Sequence, residues 1–143
     1  MKRVCFVCLG NICRSPMAEF IMKDRVGRLG LSSSFVIESR GTSYEEEGND
    51  LYPPAKRKLD EKGISYSRHY ASRLEKEDYS QFDYFFCMER RNIYQISKIF
   101  DDPLHKVQLL LDKDISDPWY SGDFESTYQD LCLGIDQFLH KEI

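Results

Sequence analysis

The segment CLGNICRS at residues 8–15 combines a cysteine, a glycine turn and an arginine. Gly10 permits close backbone approach and a positive φ, so consecutive backbone N–H groups can converge on one point. A helix that begins near Ser15 would add the positive end of its dipole. Arg14 can hold two oxygens of a tetrahedral dianion through its planar guanidinium. The same positive field favours the thiolate of Cys8, so the segment predicts nucleophilic attack on a bound phosphoryl group.

Displacement of an alkoxide or phenoxide from phosphorus also requires a proton donor. The motif DPWY at residues 117–120 offers one, Asp117. Pro118 stiffens the turn, and the rings of Trp119 and Tyr120 would wall a pocket deep enough for an aryl phosphate. Partial burial beside these rings, together with the incoming dianion, favours the protonated carboxyl group. We therefore expect Asp117 to be the general acid.

The hydrophobic pattern predicts a scaffold of alternating strands and helices for these motifs. Predicted strands cover residues 4–7, 35–37, 82–87 and 107–111, and predicted helices cover residues 15–29, 55–62, 89–100 and 124–139. This alternation is typical of a three-layer α/β/α fold, in which helices cover both faces of a four-stranded parallel sheet. Ligands bind at the carboxyl ends of the strands in such sheets. The phosphate-binding loop follows the first predicted strand, which is where an active site is expected.

Composition excludes several classes of function. The 143 residues fit a single domain, which we expect to span residues 1–143. A net charge of -4 and a pI of about 5.4 give no basic field for nucleic acid. No run of about 18 apolar residues predicts a membrane span. The apolar stretch after Lys2 and Arg3 is too short for a signal peptide and is better explained as a buried strand, so we expect a cytoplasmic protein.

The five cysteines are odd in number and spread along the chain, which favours free thiols in a cytosolic protein. Cys5 and Cys8 have the spacing of a metal or redox pair. Zinc requires four ligands, however, and no second closely spaced pair exists. On a strand, Cys5 and Cys8 also point to opposite faces. We therefore predict no metal and no cofactor, and we interpret Cys5, Cys87 and Cys132 as structural.

Together these motifs resemble the low-molecular-weight protein tyrosine phosphatase family over essentially the whole chain. The family signature Cys-x-Gly-Asn-x-Cys-Arg-Ser, followed by Ala-Glu, is similar to residues 8–15 with Ala18 and Glu19. The family's later Asp-Pro-aromatic-Tyr loop is similar to residues 117–120. Further matches follow in family order: Ser39 before Gly41 and Thr42, His69 before Ala71, and residues 82–84 with Cys87 and Met88.

The resemblance implies that the protein hydrolyses phosphotyrosine on tyrosine-phosphorylated proteins, and aryl phosphates, through a phosphocysteine intermediate, and releases inorganic phosphate. It implies Cys8 as nucleophile, Arg14 as phosphate clamp and Asp117 as general acid and then base. It also implies that Ser15 donates a hydrogen bond to the leaving thiolate and that Cys13 can form a reversible disulfide with Cys8. Asn11, Ser39 and His69 would support the loop. The residues expected to contact the substrate are Leu9, Gly10, Asn11, Ile12, Cys13, Ser15, Tyr44, Trp119 and Tyr120.

Two departures from the family pattern affect these expectations. The family often has an aromatic residue where this chain has Glu45, and Tyr44 is expected to supply that wall of the pocket instead. The usual Ala-Arg-Gln after the histidine is Ala-Ser-Arg here, at residues 71–73. The three glutamates at residues 45–47 are expected at the rim of the pocket, where they would attract basic residues that flank a phosphotyrosine.

Three other functions share part of this pattern. An arsenate reductase shares this loop but passes oxidation to closely spaced later cysteines, whereas Cys87 and Cys132 are 45 residues apart. A phosphoarginine phosphatase tends to carry threonine where this chain has Ile12, which favours an aryl ring over a guanidinium. A phosphotyrosine-binding module on an inactive scaffold would lack part of the catalytic set, yet Cys8, Arg14 and Asp117 are all present.

Overall fold

The computed structural model describes all residues from Met1 to Ile143. Its four strands are β1 (Lys2–Cys8), β2 (Phe35–Gly41), β3 (Tyr84–Cys87) and β4 (Val107–Leu109). Its six α-helices are α1 (Arg14–Arg28), α2 (Pro53–Glu61), α3 (Asp78–Gln81), α4 (Arg90–Ser97), α5 (Pro118–Ser121) and α6 (Phe124–Glu142). A short 3₁₀ turn, Ser32–Ser34, leads into β2. The alternation of strands and helices is the one predicted from the sequence.

The four strands form one parallel sheet in the order β2-β1-β3-β4. The chain passes from β1 outward to β2 and then returns to the other side of β1 for β3, so the strand order reverses next to β1. Cys8 at the end of β1 lies opposite Gly41 of β2, and Val7 lies opposite Cys87 of β3. The crevice at this switch point is the expected ligand site of an open α/β sheet.

Both faces of the sheet are covered, which confirms the predicted three-layer α/β/α fold. Alternate residues of β1 belong to different cores because successive side chains of a strand point to opposite faces. Val4, Phe6 and Cys8 pack with α1 and α6 in the larger core. Cys5 and Val7 pack with α4 in the smaller one. Cys5 and Cys8 therefore lie on opposite sides of the sheet.

Several element boundaries differ from the prediction. Strand β2 continues to Gly41 because it pairs with β1 along its whole length, which the short apolar run at residues 35–37 does not reveal. Strand β3 begins only at Tyr84, because the Asp83 carboxylate accepts hydrogen bonds from the backbone N–H and side chain of Arg3. The short helices α3 and α5 were not predicted, since four residues give no helical periodicity. None of the helices combines the length and apolarity that a membrane crossing requires.

Candidate active site

The loop between β1 and α1 surrounds the thiol of Cys8, which is 3% exposed. The Cys8 Sγ accepts a hydrogen bond from the backbone N–H of Asn11 at 3.3 Å and lies 2.9 Å from the Ser15 Oγ. The Ser15 Oγ itself accepts a hydrogen bond from the Asn11 side chain at 2.8 Å. Its own proton can point at the sulfur, which is closer than its other acceptor, the Arg40 carbonyl oxygen at 3.4 Å. Two donors can therefore stabilise negative charge on Cys8.

Asn11 holds the loop in shape. Its φ of 61° lies in the left-handed region, which is unfavourable for a residue with a side chain. Gly10, the residue expected to take a positive φ, does not adopt one. Asn11 is 1% exposed, and its amide donates to Ser15 and to the Ser39 Oγ at 3.0 Å. Its Oδ1 accepts from the Ser72 N–H at 3.0 Å, so all of the side chain's polar atoms have partners that fix the strained backbone.

His69 supports the same residue from behind the loop. Its Nε2 lies 2.7 Å from the backbone carbonyl oxygen of Asn11. Because a carbonyl oxygen only accepts, the Nε2 carries the proton. Burial lowers the pKa of His69 from its ordinary value, although this hydrogen bond and nearby carboxylates act in the opposite direction. The ring is therefore a neutral donor at neutral pH.

The support extends to Glu19 on α1. The Ser39 Oγ donates to the Glu19 carboxylate at 2.7 Å, and the other carboxylate oxygen accepts from the Lys23 Nζ at 2.6 Å. A chain of hydrogen bonds thus runs from Lys23 near the surface through Glu19, Ser39 and Asn11 toward the nucleophile. Of these residues the motifs predicted Ser39 and Asn11, while Glu19 was part of the signature without an assigned role.

Gly41 allows β2 to approach this loop closely. A Cβ atom at this position would lie 2.7 Å from the carbonyl oxygen of Leu9, closer than real Cβ contacts allow. The Cys8 carbonyl oxygen accepts a hydrogen bond from the Thr42 N–H at 3.0 Å just beyond it. Gly41 is therefore required for the end of β2 to lie against the loop.

Arg14 is the first residue of α1 and is 3% exposed. Its Nη1 donates to the Glu89 carboxylate at 2.7 Å and to the backbone carbonyl oxygen of Ile115 at 2.8 Å. Burial alone would lower the pKa of Arg14, but the negative charges of Cys8, Glu89 and Asp117 outweigh it and raise the pKa. Neither Glu89 nor the Ile115 carbonyl is part of the motifs recognised in the sequence. Glu89 could have been found by its position just after a buried strand, at the functional edge of the sheet.

Asp117 lies across the cavity from the loop. It precedes α5 and caps it, because its Oδ1 accepts from the Trp119 N–H at 3.0 Å. Its Oδ2 is 3.5 Å from the Arg14 Nη2. Helix α6 fixes the preceding residue, since the buried Thr127 hydroxyl donates to the Ser116 carbonyl at 3.1 Å. The carboxyl group is thus held near both Arg14 and the cavity.

The cavity between these elements collects most of the predicted substrate-contacting residues. Its walls are Cys8, Leu9, Gly10, Asn11, Ile12, Cys13, Arg14, Glu45, Glu46, Asp117, Trp119 and Tyr120. Ser15 lies behind the Cys8 sulfur, and Ser39 and His69 lie behind the loop. Residues from five separate stretches of the chain therefore meet at the carboxyl end of β1.

Tyr44 is the exception among the predicted contacts, because the structure places it away from the cavity. Its ring packs on the Arg73 guanidinium at 4.7 Å, and its hydroxyl donates to the Glu75 carboxylate at 2.7 Å. Glu45 and Glu46 line the cavity instead. Glu47 also faces away, since its carboxylate accepts from the Arg73 N–H at 3.1 Å. The predicted rim of three glutamates is therefore a rim of two.

A buried thiol at the end of the first strand of a parallel sheet, surrounded by an amide-lined loop and an arginine, fits a cysteine-dependent phosphatase. Comparison with known proteins gives the family. The family model described as low molecular weight phosphotyrosine protein phosphatase matches residues 3–143. The chain belongs to this family, and it is a protein-tyrosine phosphatase.

Individual relatives agree with this assignment. The low molecular weight protein-tyrosine-phosphatase YfkJ of Bacillus subtilis is 35% identical over 148 residues, covering 97% of this chain and 94% of the relative. The human low molecular weight phosphotyrosine protein phosphatase is 36% identical over 151 residues, covering 98% of this chain and 95% of the relative. The crystal structure of SP-PTP from Streptococcus pyogenes has a TM-score of 0.91 and 39% identity, with 100% of this chain and 94% of that chain covered.

Proposed function

We propose that this phosphatase works through a covalent phosphocysteine intermediate on Cys8. The thiolate attacks phosphorus, and a P–S bond forms as the bond to the ester oxygen breaks. Asp117 gives its proton to the departing phenolate. Water then attacks phosphorus, Asp117 takes up a proton from it, and the thiolate leaves with inorganic phosphate as the product. The Ser15 hydroxyl, 2.9 Å from the sulfur, stabilises the thiolate as it forms.

The orientation of Arg14 supports its role as the phosphate clamp. Both hydrogens of its Nη1 are directed at Glu89 and at the Ile115 carbonyl. The Nε makes no hydrogen bond within the protein and Nη2 makes only the long contact with Asp117, so this edge is available to a ligand in the cavity that Arg14 lines. This edge carries two parallel N–H donors, which match two oxygens of a phosphoryl group. Lysine could not reproduce that arrangement.

The walls of the cavity favour an aryl ester. Ile12, Trp119 and Tyr120 provide apolar and aromatic surface in the cavity that contains the thiol. This surface suits the ring of a phosphotyrosine better than the short side chain of a phosphoserine or the guanidinium of a phosphoarginine. We infer that the substrates are tyrosine-phosphorylated proteins and that residues 1–143 act as one catalytic domain.

We further infer that the enzyme is cytoplasmic and that its nucleophile is sensitive to oxidation. All five cysteines are free thiols in the structure, as expected in a reducing compartment. Cys13 lines the same cavity as Cys8, which supports a reversible disulfide between them. Such a bond would protect the nucleophile from irreversible oxidation.

The observation that carries the mechanism is the position of the Cys8 thiol, between two donors and inside the cavity lined by Arg14 and Asp117. Cys8→Ser should abolish hydrolysis of p-nitrophenyl phosphate but retain binding of inorganic phosphate, measured by calorimetry. Cys132→Ser is the matched control, because Cys132 is also a buried thiol but lies outside the cavity. Substantial turnover by the Cys8→Ser variant would remove Cys8 from its role.

The substrate class needs a separate measurement. Wild-type turnover should be compared on peptides that differ only in carrying phosphotyrosine, phosphoserine or phosphoarginine, each with and without EDTA. We expect kcat/KM to be highest for phosphotyrosine. A higher value for phosphoarginine would contradict the aryl assignment while leaving the role of Cys8 intact.

A further inference from the structure

Tyr52 connects the two halves of the active site, although it does not line the cavity. Its backbone N–H donates to the carbonyl oxygen of Ile12 in the phosphate-binding loop at 3.0 Å. Its ring lies against the Trp119 ring with the centroids 4.6 Å apart. The motifs gave no indication of this residue, because its two contacts lie 40 residues before it and 67 residues after it.

The backbone of Tyr52 is fixed by its neighbours. It is the N-cap of α2 and precedes Pro53, which restricts it to the extended conformation seen here, with φ -58° and ψ 133°. Its carbonyl oxygen accepts from the N–H groups of Ala55 and Lys56 in the first turn of α2. On its other side the ring packs on Phe124, the first residue of α6, with a centroid distance of 6.3 Å. Tyr52 is therefore a rigid support.

Trp119 needs such a support to act as a wall. It lies on α5, a helix of only four residues, and 49% of its surface is exposed. The Tyr52 ring covers part of the indole, while Trp119 also lines the cavity, as Ile12 does. Without Tyr52, the indole would have open space to move into. This wall of the cavity would then no longer be fixed before the substrate arrives.

We propose that Tyr52 is a positioning residue that holds Trp119 as a preformed wall for the aryl ring of the substrate. It determines how strongly the enzyme prefers aryl phosphates over small phosphates. This inference rests on the proposed function in one respect, the binding of an aryl ester between Ile12 and Trp119. Tyr52 contributes through its ring alone, since its hydroxyl makes no hydrogen bond within the protein and the backbone contact to Ile12 is independent of the side chain.

The test compares two inhibitors in wild type, Tyr52→Leu and Tyr52→Phe. Benzylphosphonate carries an aryl ring, whereas inorganic phosphate occupies only the loop. Tyr52→Leu should raise the Ki of benzylphosphonate about threefold to tenfold, the range that corresponds to loss of an aromatic pair. The Ki of inorganic phosphate should stay within about twofold. Tyr52→Phe keeps the ring and should match wild type. The proposal would be overturned if Tyr52→Leu raised the Ki of both inhibitors equally, or if it changed neither Ki.

Trp119 is the only tryptophan in the chain, so fluorescence reports on it directly. Tyr52→Leu should shift its emission to longer wavelength and lower its steady-state anisotropy, and Tyr52→Phe should do neither. Unchanged emission and anisotropy in Tyr52→Leu would show that Trp119 is held without Tyr52, and the proposal would fail. Should Tyr52→Leu not fold, Tyr52→Met provides a flexible apolar replacement for the same measurements.

A double-mutant cycle separates positioning from general destabilisation. In a Trp119→Ala background, Tyr52→Leu should have no further effect on the Ki of benzylphosphonate, because the wall it supports is already gone. A full additional effect would place the influence of Tyr52 elsewhere. The proposed function is tested independently, since inactivity of Cys8→Ser and the preference among phosphopeptides do not depend on Tyr52.

Discussion

The Nη1 of Arg14 donates a 2.7 Å hydrogen bond to the carboxylate of Glu89, 75 residues further along the chain. This ion pair sets which edge of the guanidinium faces the cavity. Glu89 lies just after β3 and is the N-cap of α4, where its backbone N–H donates to the Asn92 side chain at 3.1 Å. The orientation of the Arg14 guanidinium therefore depends on a residue that follows the adjacent strand of the sheet.

Loss of Glu89 should therefore weaken oxyanion binding without removing any group that contacts the substrate. We expect Glu89→Ala to reduce kcat/KM about tenfold to a hundredfold, as a hydrogen bond to a charged group contributes ~1.5–3 kcal/mol. Glu89→Gln keeps an acceptor oxygen, so its kcat/KM should fall by a smaller factor. The Ki of inorganic phosphate should rise in the same order. Equal kinetics for wild type and Glu89→Ala would show that Arg14 keeps its orientation without the ion pair.

The role of Asp117 predicts a dependence on the leaving group. Asp117→Asn should lower kcat by ~10²–10⁴-fold for aryl phosphates whose phenols are poor leaving groups, because these require protonation. For substrates with good leaving groups, kcat should fall much less. Asp114→Asn is the control, since Asp114 is on the same connection but pairs with Arg90 outside the cavity. A uniform loss for all leaving groups would assign the acid to another residue.

Peroxide should inactivate the enzyme reversibly. It oxidises the Cys8 thiolate to a sulfenic acid, and the Cys13 sulfur then forms a disulfide with Cys8 as water leaves. Burial raises the pKa of Cys13, and the charge of Cys8 adds to this, so Cys13 is a protonated thiol at rest. Dithiothreitol should restore the activity of the oxidised wild-type enzyme but not that of the oxidised Cys13→Ser variant. Peptide mapping that found Cys5 or Cys87 bridged to Cys8 would contradict this pairing.

The two glutamates at the cavity rim predict a preference for basic residues beside the phosphotyrosine. Neither Glu45 nor Glu46 forms an ion pair within the protein. Exposed pairs contribute ~0.2–1 kcal/mol each, so the double change to Gln should reduce discrimination between Lys-flanked and Glu-flanked peptides by about twofold to thirtyfold. The measurement is kcat/KM for both peptides at low and high salt.

Glu47→Gln is the matched control for this experiment. Glu47 belongs to the same run of three glutamates but faces Arg73 on the other side of the loop. The control should therefore keep the full preference for Lys-flanked peptides. High salt should weaken this preference in wild type, because the Debye length at physiological ionic strength is only ~8 Å. If Glu47→Gln reduced the preference for Lys-flanked peptides as much as the double variant does, the preference would depend on net charge and not on the position of Glu45 and Glu46.

His69 predicts a pH dependence of stability. Burial lowers the pKa of its imidazole below the ordinary value of 6.5. Between pH 6.5 and the lowered pKa, the unfolded chain binds more protons than the folded protein. The contribution of His69 is therefore full above this window and is lost as the pH falls through it. Urea denaturation from pH 8 to pH 5 should show a smaller decline for His69→Gln, which keeps a donor for the Asn11 carbonyl. Parallel declines would indicate that His69 does not titrate differently in the two states.

The sequence by itself determined the parts of the site that are contiguous in the chain. Cys8, Arg14 and Ser15 are close together because a strand, a tight loop and a helix follow one another within eight positions. The alternation of apolar segments also determined the parallel sheet and hence the edge at which the loop lies. In this part of the molecule, local periodicity and turn chemistry are sufficient, because the relevant contacts span only a few residues.

Only the tertiary structure decided the groups that arrive from elsewhere in the chain. Glu89 reaches Arg14 because β3 pairs with β1, and Tyr52 meets Trp119 because α2 and α6 lie side by side. The choice between Tyr44 and Glu45 at the rim was likewise decided at long range, since the Arg73 guanidinium binds the Tyr44 ring and turns it out of the cavity. Ion pairs and ring contacts of this kind form between residues brought together by folding, and they leave no periodic signal in the sequence.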